Sequence, residues 1–341
     1  MAKSSSRPVG AGISLAGFDW RKYGVFIIFL LLCTVFTFIT PWRNGSPIFL
    51  SQVNILNVFR QVSVVGIMAV GMTYVIMLGQ IDLGVGSLLL LCSVVAALLQ
   101  RANAGLFLSL LLPLLIGAVT GILIGLLVTK GRVPSFVATL GVLASYKGVA
   151  LLIAGQPITG IKPDFRFLGA GVVGNIPGFS SFPVIKDVPI PVVLFAIAVI
   201  IGSIVFQRYP FGRHVAAVGG NEEAARLSGI NVDRIKIMVF VISGICAAIS
   251  AIVLTARLNM GNPVAAQNIE LDVIAAVVVG GTSLYGGRGS VIGSLIGAML
   301  IGVLSNALTL MEVNAYWQPV IKGVVIVVAV LLDQLGSRRK G

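Results

Sequence analysis

Ten long apolar runs constrain this chain more than any other feature of its sequence. Most have about the 20 apolar residues that an α-helix needs to cross the hydrocarbon core of a membrane. Residues 83–99 and 270–285 are short and interrupted by glycine, so each either spans the membrane or re-enters it from one side. The pattern predicts an all-α, polytopic membrane protein with helices near 24–41, 55–79, 83–99, 106–129, 134–155, 189–207, 236–257, 270–285, 290–310 and 317–335.

The composition is typical of a membrane domain. Only 10% of the 341 residues are charged and 57% are hydrophobic, whereas about 25% of the residues in a soluble domain are charged. The net charge of +13 does not indicate nucleic-acid binding, because the basic residues lie mainly in short gaps between apolar runs. With both termini in the cytoplasm, fifteen Lys and Arg lie inside and seven outside, in agreement with the positive-inside rule.

This orientation divides the chain into a cytoplasmic segment 1–23, a transmembrane domain 24–335 and a cytoplasmic tail 336–341. The first run is expected to be a retained helix, since no small-residue cleavage site follows it. Cys33, Cys92 and Cys246 are isolated in apolar runs, and the only histidine is His214 in a basic loop. Neither a disulfide framework nor a metal or catalytic site is therefore expected.

Five charged residues lie inside the apolar runs or at their ends. Asp82, in "QIDLGVG", stands between two runs, and we expect it to cap the N-terminus of the following helix. Glu270 and Asp272 stand in the same relation to the run that follows them. Lys147 and Lys322 are candidate partners for these acids. Structural roles are favoured over substrate or proton binding, because a charge at the membrane centre costs at least about 2.5–3.5 kcal/mol.

Two long loops connect the runs. The cytoplasmic loop 207–236 is expected to contain a short helix, with Asn221 as N-cap, Glu222 and Glu223 in the first turn and Gly229 at its end. This helix either lies along the membrane surface or docks on a cytosolic partner. The outer loop 156–188 is rich in Gly and Pro. It either binds an external partner or packs as a cap on the membrane domain.

A weak internal repeat relates the two halves of the membrane domain. "GAVTGILIGLL" (117–127) is similar to "GSLIGAMLIGVL" (293–304), and "KGVALLI" (147–153) is similar to "KGVVIVV" (322–328). Because the matching runs point in opposite directions, residues 55–155 and 236–335 are candidates for the inverted repeat that many transporters contain. Chance similarity between glycine-rich apolar segments is the alternative.

The chain resembles the membrane permease of a bacterial ABC sugar importer of the ribose, galactose and arabinose type. The motifs, in order over residues 20–335, are "MAVGMTYVIMLGQIDLGVGSLL", "GRVPSFVATLG", "AVGGNEEAARLSGINVDRIKI", "ELDVIAAVVVGGTSLYGGRGSVIGSLIGAMLIG" and "YWQPVIKGVVIVVAVLLD". The resemblance implies the ten-helix fold of vitamin B12-type importers and a permease homodimer in the bacterial inner membrane. It also implies cytosolic ATPase subunits that bind ATP and Mg, and a periplasmic sugar-binding protein.

The resemblance further implies that the cytoplasmic loop docks in a groove of the ATPase subunit. The matching residues are Gly219, Gly220, Asn221, Glu222, Glu223, Ala224, Ala225, Arg226, Leu227, Ser228 and Gly229. We therefore expect Glu222→Lys or Ala225→Arg to abolish substrate-stimulated ATP hydrolysis without affecting folding. The chain has no phosphate-binding GxxxxGK[ST] loop, so it is not expected to be an enzyme or to hold a cofactor.

Polar side chains inside the apolar runs are candidates for the lining of the sugar pathway, and each is alternatively a contact between helices. They are Asn57, Gln61, Thr73, Ser87, Asn306 and Gln318. Two other functions stay open at this point. One is an ABC permease for branched-chain amino acids or another small polar solute, and the other is a secondary transporter in which Asp82 or Asp272 carries protons. The sequence does not identify the sugar.

Overall fold

The computed structural model describes residues 20–43, 45–180, 185–314, 316–325 and 327. Helices dominate this part of the chain, as the apolar runs predict. Most of the predicted cytoplasmic segment 1–23, the end of the predicted run 317–335 and the tail 336–341 lie outside the described residues. The helices are α1 Trp20–Ile39, α2 Gln52–Met77, α3 Val85–Arg101, α4 Leu106–Thr129, α5 Ser135–Ile153, α6 Pro163–Ala170, α7 Ile190–Arg208, α8 Pro210–Gly220, α9 Glu222–Leu227, α10 Val232–Leu258, α11 Ile269–Val279, α12 Val291–Leu310 and α13 at 317–325.

Short elements complete the described chain. A hairpin of two-residue strands, β1 Trp42–Arg43 and β2 Ser46–Pro47, follows α1 and leads into a 3-10 turn at Ile48–Leu50. A second 3-10 turn, Val173–Asn175, follows α6. These elements lie in connections between helices.

Six helices are long and apolar enough to cross a membrane: α2, α4, α5, α7, α10 and α12. This number refers to the described residues. Two shorter apolar helical stretches also occur there, Gly24–Ile39 within α1 and Val85–Arg101, which is α3. The predicted span 270–285 differs most from the structure, because α11 has only 11 residues. A helix of that length rises about 17 Å, well short of a hydrocarbon core of about 30 Å. The helix ends at two glycines, the second of which, Gly281, has a φ of +89°.

The buried core is centred on α2 and α10, which pack against each other. α10 also packs along α4, where Gly117, Gly121 and Gly125 face the backbone of α10. A Cβ at Gly121 would overlap the carbonyl group of Phe240. Glycine at every fourth position therefore lets the two helix backbones touch, as small residues do in other membrane helix pairs.

The connections between helices gather on two opposite faces. On the first, the Asn221 face, Lys130 after α4 lies 3.1 Å from Asp233 at the start of α10. On the second, the Gly261 face, Ile158 and Gly261 exchange backbone hydrogen bonds of 2.8 and 2.9 Å. The long helices that follow one another across the core therefore run in alternating directions.

Two sets of helices have the same arrangement of neighbours. α10 packs against α4 and α3, and α2 packs against α12 and α11. α3 packs against α5, while Asp272 of α11 pairs with Lys322 of α13. If α2, α3, α4 and α5 are matched in order with α10, α11, α12 and α13, each of these contacts has a counterpart in the other set. The matched central helices α2 and α10 begin on opposite faces.

The described part of loop 156–188 is folded against the Gly261 face. α6 packs against α10, with the Phe165 side chain fully buried. Gly169 lies directly against the backbone of Arg257, where a side chain would not fit. α6 thus packs as a cap on this face, which is one of the two expected arrangements, whereas residues 177–180 and 185–187 of the loop are exposed. Binding of an external partner to this cap stays a prediction.

Candidate functional site

The segment Gly219–Gly229 forms an exposed corner on the Asn221 face, where α8 ends and α9 begins. Asn221 caps α9, since its Oδ1 accepts a hydrogen bond from the amide of Ala224 at 2.9 Å. Gly229, with a φ of +82°, follows the end of α9. The predicted cap and helix end are confirmed. α8 was not predicted, although Pro210 in its first turn is a signal for a helix start.

A chain of ion pairs connects α9 to two membrane helices. Glu222 is 2.7 Å from the mostly buried Lys236 and 3.5 Å from Arg226. Arg226 is 3.4 Å from Asp233, which is 3.1 Å from Lys130. Exposed ion pairs contribute little to stability. This series of ion pairs is important because it fixes the position of α9. It holds α9 against the start of α10 and the end of α4.

Backbone contacts connect the same corner to two other parts of the protein. Gly219 lies against the carbonyl group of Met77 at the end of α2, leaving no space for a Cβ. The amide of Gly287, in the connection between α11 and α12, donates a hydrogen bond to the same carbonyl at 2.8 Å. Gly286 has a φ of +83° and lies against Gly219. The corner therefore contacts α2 and the α11–α12 connection.

The outer surface of α9 is accessible to a partner. Leu227 is 84% exposed, and Glu223 and Ser228 are also exposed. Ala225 points inward and is only 4% exposed. Ala225→Arg would therefore disturb the packing of the corner itself, so this substitution does not test docking alone. Leu227 is the better probe.

Asp82 is buried between α2 and α3, with 3% of its surface exposed. Its Oδ1 accepts a hydrogen bond from the amide of Gly84 at 3.0 Å, and its Oδ2 accepts one from the hydroxyl of Ser243 in α10 at 3.0 Å. The carboxylate thus lies at the start of α3, as predicted, although the N-cap position belongs to Gly84. No lysine among the described residues pairs with Asp82.

Of the two lysines inside apolar runs, only Lys322 pairs with an acid among the described residues. Its Nζ lies 2.7 Å from Oδ2 of Asp272. Lys147 forms no ion pair within 4.0 Å with a described residue. Glu270 is buried against Gly86. The expected pairing is therefore confirmed for Lys322 and Asp272.

Three of the six predicted pathway residues join helices to one another. Their side chains form hydrogen bonds between distant parts of the chain, which is the structural alternative for polar residues in membrane helices. These bonds are Thr73 to Ser294 at 2.8 Å, Ser87 to the carbonyl group of Val142 at 3.3 Å, and Asn306 to Asn54 at 2.8 Å.

The other three predicted pathway residues are at least partly accessible. Asn57 and Gln61 are exposed on α2, and Gln318 is partly exposed on α13. Asn57 accepts a hydrogen bond from Arg60 at 3.2 Å. Gln61 lines a cavity near the Gly261 face, so it is the predicted residue whose position best suits a pathway.

This cavity, of about 210 Å³, combines polar and apolar walls. α2 contributes Gln61, the end of α10 contributes Arg257, and the region of α11 contributes Gln267 and Asp272. Arg257 and Gln267 were not predicted, because they lie at the end of an apolar run and in the loop after it. No cluster of His, Cys, Asp or Glu that could hold a metal ion occurs within the described ranges.

The chain is similar over most of its length to known membrane permeases. The model of the family described as "Branched-chain amino acid transport system / permease component" matches residues 54–330. Ribose import permeases from Haemophilus influenzae and Bacillus subtilis are each 41% identical, over 92% and 93% of this chain and 94% of each relative. A xylose transport permease from Haemophilus influenzae is 32% identical over 92% of this chain and 97% of its own length. No solved structure matches the chain.

Proposed function

The chain belongs to the family of transport-system permease components, and on that premise we propose that it is the membrane subunit of an ATP-driven ABC importer for a monosaccharide, a pentose or a hexose. It is a multi-pass membrane transport component rather than an enzyme. The observation that carries the proposal is the exposed corner Gly219–Gly229. Its helix α9 is ion-paired to α10, and Gly219 at the end of α8 contacts α2.

The sequence relatives favour a sugar as the substrate. The family description refers to branched-chain amino acids, which keeps that substrate class as the alternative. However, relatives that cover more than nine-tenths of the chain are named for the import of ribose and the transport of xylose. A secondary transporter has no support from these relatives.

Energy for transport comes from a separate cytosolic ATPase subunit, which binds ATP and Mg, because the chain has no phosphate-binding loop of its own. The segment Gly219–Gly229, with the exposed Leu227, is the docking site for that subunit. A periplasmic sugar-binding protein delivers the sugar to the Gly261 face. A second copy of the chain completes a homodimer around the pathway.

The chain lies in the bacterial inner membrane with the Asn221 face and both termini in the cytoplasm. The excess of Lys and Arg in the connections of that face supports this orientation. The fold is a ten-helix, vitamin B12-type arrangement in which α2–α5 and α10–α13 form an inverted repeat. Its support is the matched set of helix neighbours in the two halves.

The contacts of α9 provide a route by which ATP binding can move the membrane helices. When the ATPase subunits close, they displace α9. Its ion pairs with Asp233 and Lys236 transmit the displacement to α10, and the contact of Gly219 with Met77 transmits it to α2. Because α2 and α10 are the central pair, a tilt of both changes the side to which the pathway opens.

The test is sugar uptake by the reconstituted complex. The chain is purified with its cognate ATPase and binding-protein subunits and is placed in proteoliposomes. We expect uptake of radiolabelled D-ribose or D-xylose that requires both ATP and the binding protein, and no competition by excess leucine.

Two results would contradict the proposal. Sugar uptake by the chain alone, driven by a proton gradient without ATP, would identify a secondary transporter. ATP-driven uptake of leucine, with neither sugar transported, would refute the substrate class while leaving the ABC mechanism intact.

A further inference from the structure

Two cavities that are lined in part by polar side chains lie beside α11 on the Gly261 face. The larger, of about 210 Å³, is lined by Gln61, Arg257, Gln267 and Asp272. The smaller, of about 130 Å³, is lined by Gln267, Asp272 and Lys322. Gln267 and Asp272 line both cavities, so the two cavities lie side by side against these residues.

The donors of the larger cavity are not used by the protein. Among the described residues, no hydrogen bond engages the side chain of Gln61, Arg257 or Gln267. Arg257 also has no carboxylate within 4.0 Å in the described part of the chain. Gln61 and Gln267 are exposed, and Arg257 is partly exposed. These three side chains are therefore free to form hydrogen bonds with water or with a polar solute in the cavity.

Asp272 is an acceptor rather than a donor, and an ion pair fixes the position of its side chain. Its Oδ2 lies 2.7 Å from the ammonium group of Lys322, and both side chains are mostly buried. A carboxylate held by one cation keeps acceptor capacity for further donors. The cavity thus contains one oriented acceptor among several donors.

We propose that these two cavities form the outer sugar site of the permease. Gln61, Arg257 and Gln267 donate hydrogen bonds to sugar hydroxyls, and Asp272, held by Lys322, accepts one. The proposal rests on the proposed function and assigns the substrate contacts of that function to named side chains. Hydroxyl groups both donate and accept, so they match a site that presents donors and an oriented acceptor.

The shape and position of the site agree with a small sugar. Its volume of about 210 Å³ is below the range of about 300–1,000 Å³ for pockets that hold drug-sized ligands, which suits one sugar ring. Val64, Val65 and Leu254 also line the cavity and give it apolar surface suited to the C–H face of a ring. Because α2 and α10 both line the site, a tilt of these helices changes its geometry and releases the sugar.

The test uses Gln61→Ala, Gln267→Ala and Arg257→Gln in the complete complex with ATPase and binding protein. Gln156→Ala is the matched control, because Gln156 is an exposed amide of the outer loop that lines neither cavity. D-ribose and D-xylose uptake and ATP hydrolysis are measured on the same proteoliposomes. We expect each lining variant to lower the sugar transported per ATP hydrolysed by about three- to tenfold, the effect of one lost hydrogen bond, and the control to leave this ratio unchanged.

Three results would overturn the site. The first is an unchanged ratio in all three variants. The second is a parallel loss of uptake and of ATP hydrolysis stimulated by the binding protein, which would make the surface a docking site for that protein. The third is dissociation of the complex on size-exclusion chromatography, which would make it an interface between copies. If the wild-type complex transports no pentose and no hexose, the proposed function itself fails, and that result is visible before any variant is made.

Discussion

Replacing Asp82 with leucine should destabilise the protein much more than replacing it with asparagine. In the structure the carboxylate accepts hydrogen bonds from the amide of Gly84 and the hydroxyl of Ser243, each at 3.0 Å. Leucine would leave both donors buried without an acceptor. An orphaned buried donor costs about 1–3 kcal/mol, so the expected loss for the two donors is about 2–6 kcal/mol.

Asparagine preserves most of this arrangement. Its Oδ1 can still accept from Gly84, and its NH₂ group can donate to the Ser243 hydroxyl, which rotates to accept. The expected loss is about 1 kcal/mol, the net value of a typical hydrogen bond. Ser243→Ala removes the same contact from the other side. Its effect should therefore not add fully to that of Asp82→Asn in the double variant.

The assay is the midpoint of thermal unfolding of the detergent-purified protein, followed by intrinsic fluorescence. ATP-driven sugar uptake is measured in parallel at matched protein levels. We expect Asp82→Asn to keep most of its transport and Asp82→Leu to lose expression or stability. Equal midpoints for the two variants would refute the hydrogen-bond argument. A well-folded Asp82→Asn variant without transport would show that the carboxylate acts directly in the pathway.

Two further substitutions test the contacts of α9 and α4. Leu227→Asp, on the exposed face of α9, should lower ATP hydrolysis stimulated by sugar-loaded binding protein by about tenfold or more. Its unfolding midpoint should not change because the residue is 84% exposed, and full stimulation would exclude docking through this face. Gly121→Ala should cost about 1–3 kcal/mol, since a Cβ there overlaps the backbone of α10, whereas Gly141→Ala in α5, with open space at its Cβ, should be neutral or stabilising. Equal effects of the two alanines on the midpoint would disprove close packing at Gly121.

The lengths of the apolar runs predict where the membrane helices lie in the sequence. They do not predict which faces of these helices pack against each other. The predicted run 106–129 has the same bounds as α4. However, nearly every position of such a helix is apolar, so no hydrophobic period marks the buried side. Glycine at every fourth position from 117 to 125 was the signal for close packing. It could not identify α10 as the partner.

Local contacts of the candidate site were predictable, whereas distant contacts were not. Asn221 accepts a hydrogen bond from the amide of Ala224, three residues later. An asparagine at the start of a helix is enough to predict this N-cap contact. Ser243 lies 161 positions from Asp82, and nothing in the sequence connects the two. The Lys322–Asp272 pair could be expected only as one of several pairings, because the sequence offers two lysines and three acids and does not show which of them meet.

The two kinds of contact at the corner before α9 respond differently to force. The contact of Gly219 with Met77 is a steric contact between backbones, which resists compression and gives no strong resistance to separation. The ion pairs of Glu222 with Lys236 and of Arg226 with Asp233 are attractive, so they also resist separation. A partner that pushes on α9 therefore moves α2 and α10 together, whereas a partner that pulls on α9 acts mainly on α10. A movement of α9 in either direction would therefore reach α10 through these ion pairs, whereas only a push would reach α2 through Gly219.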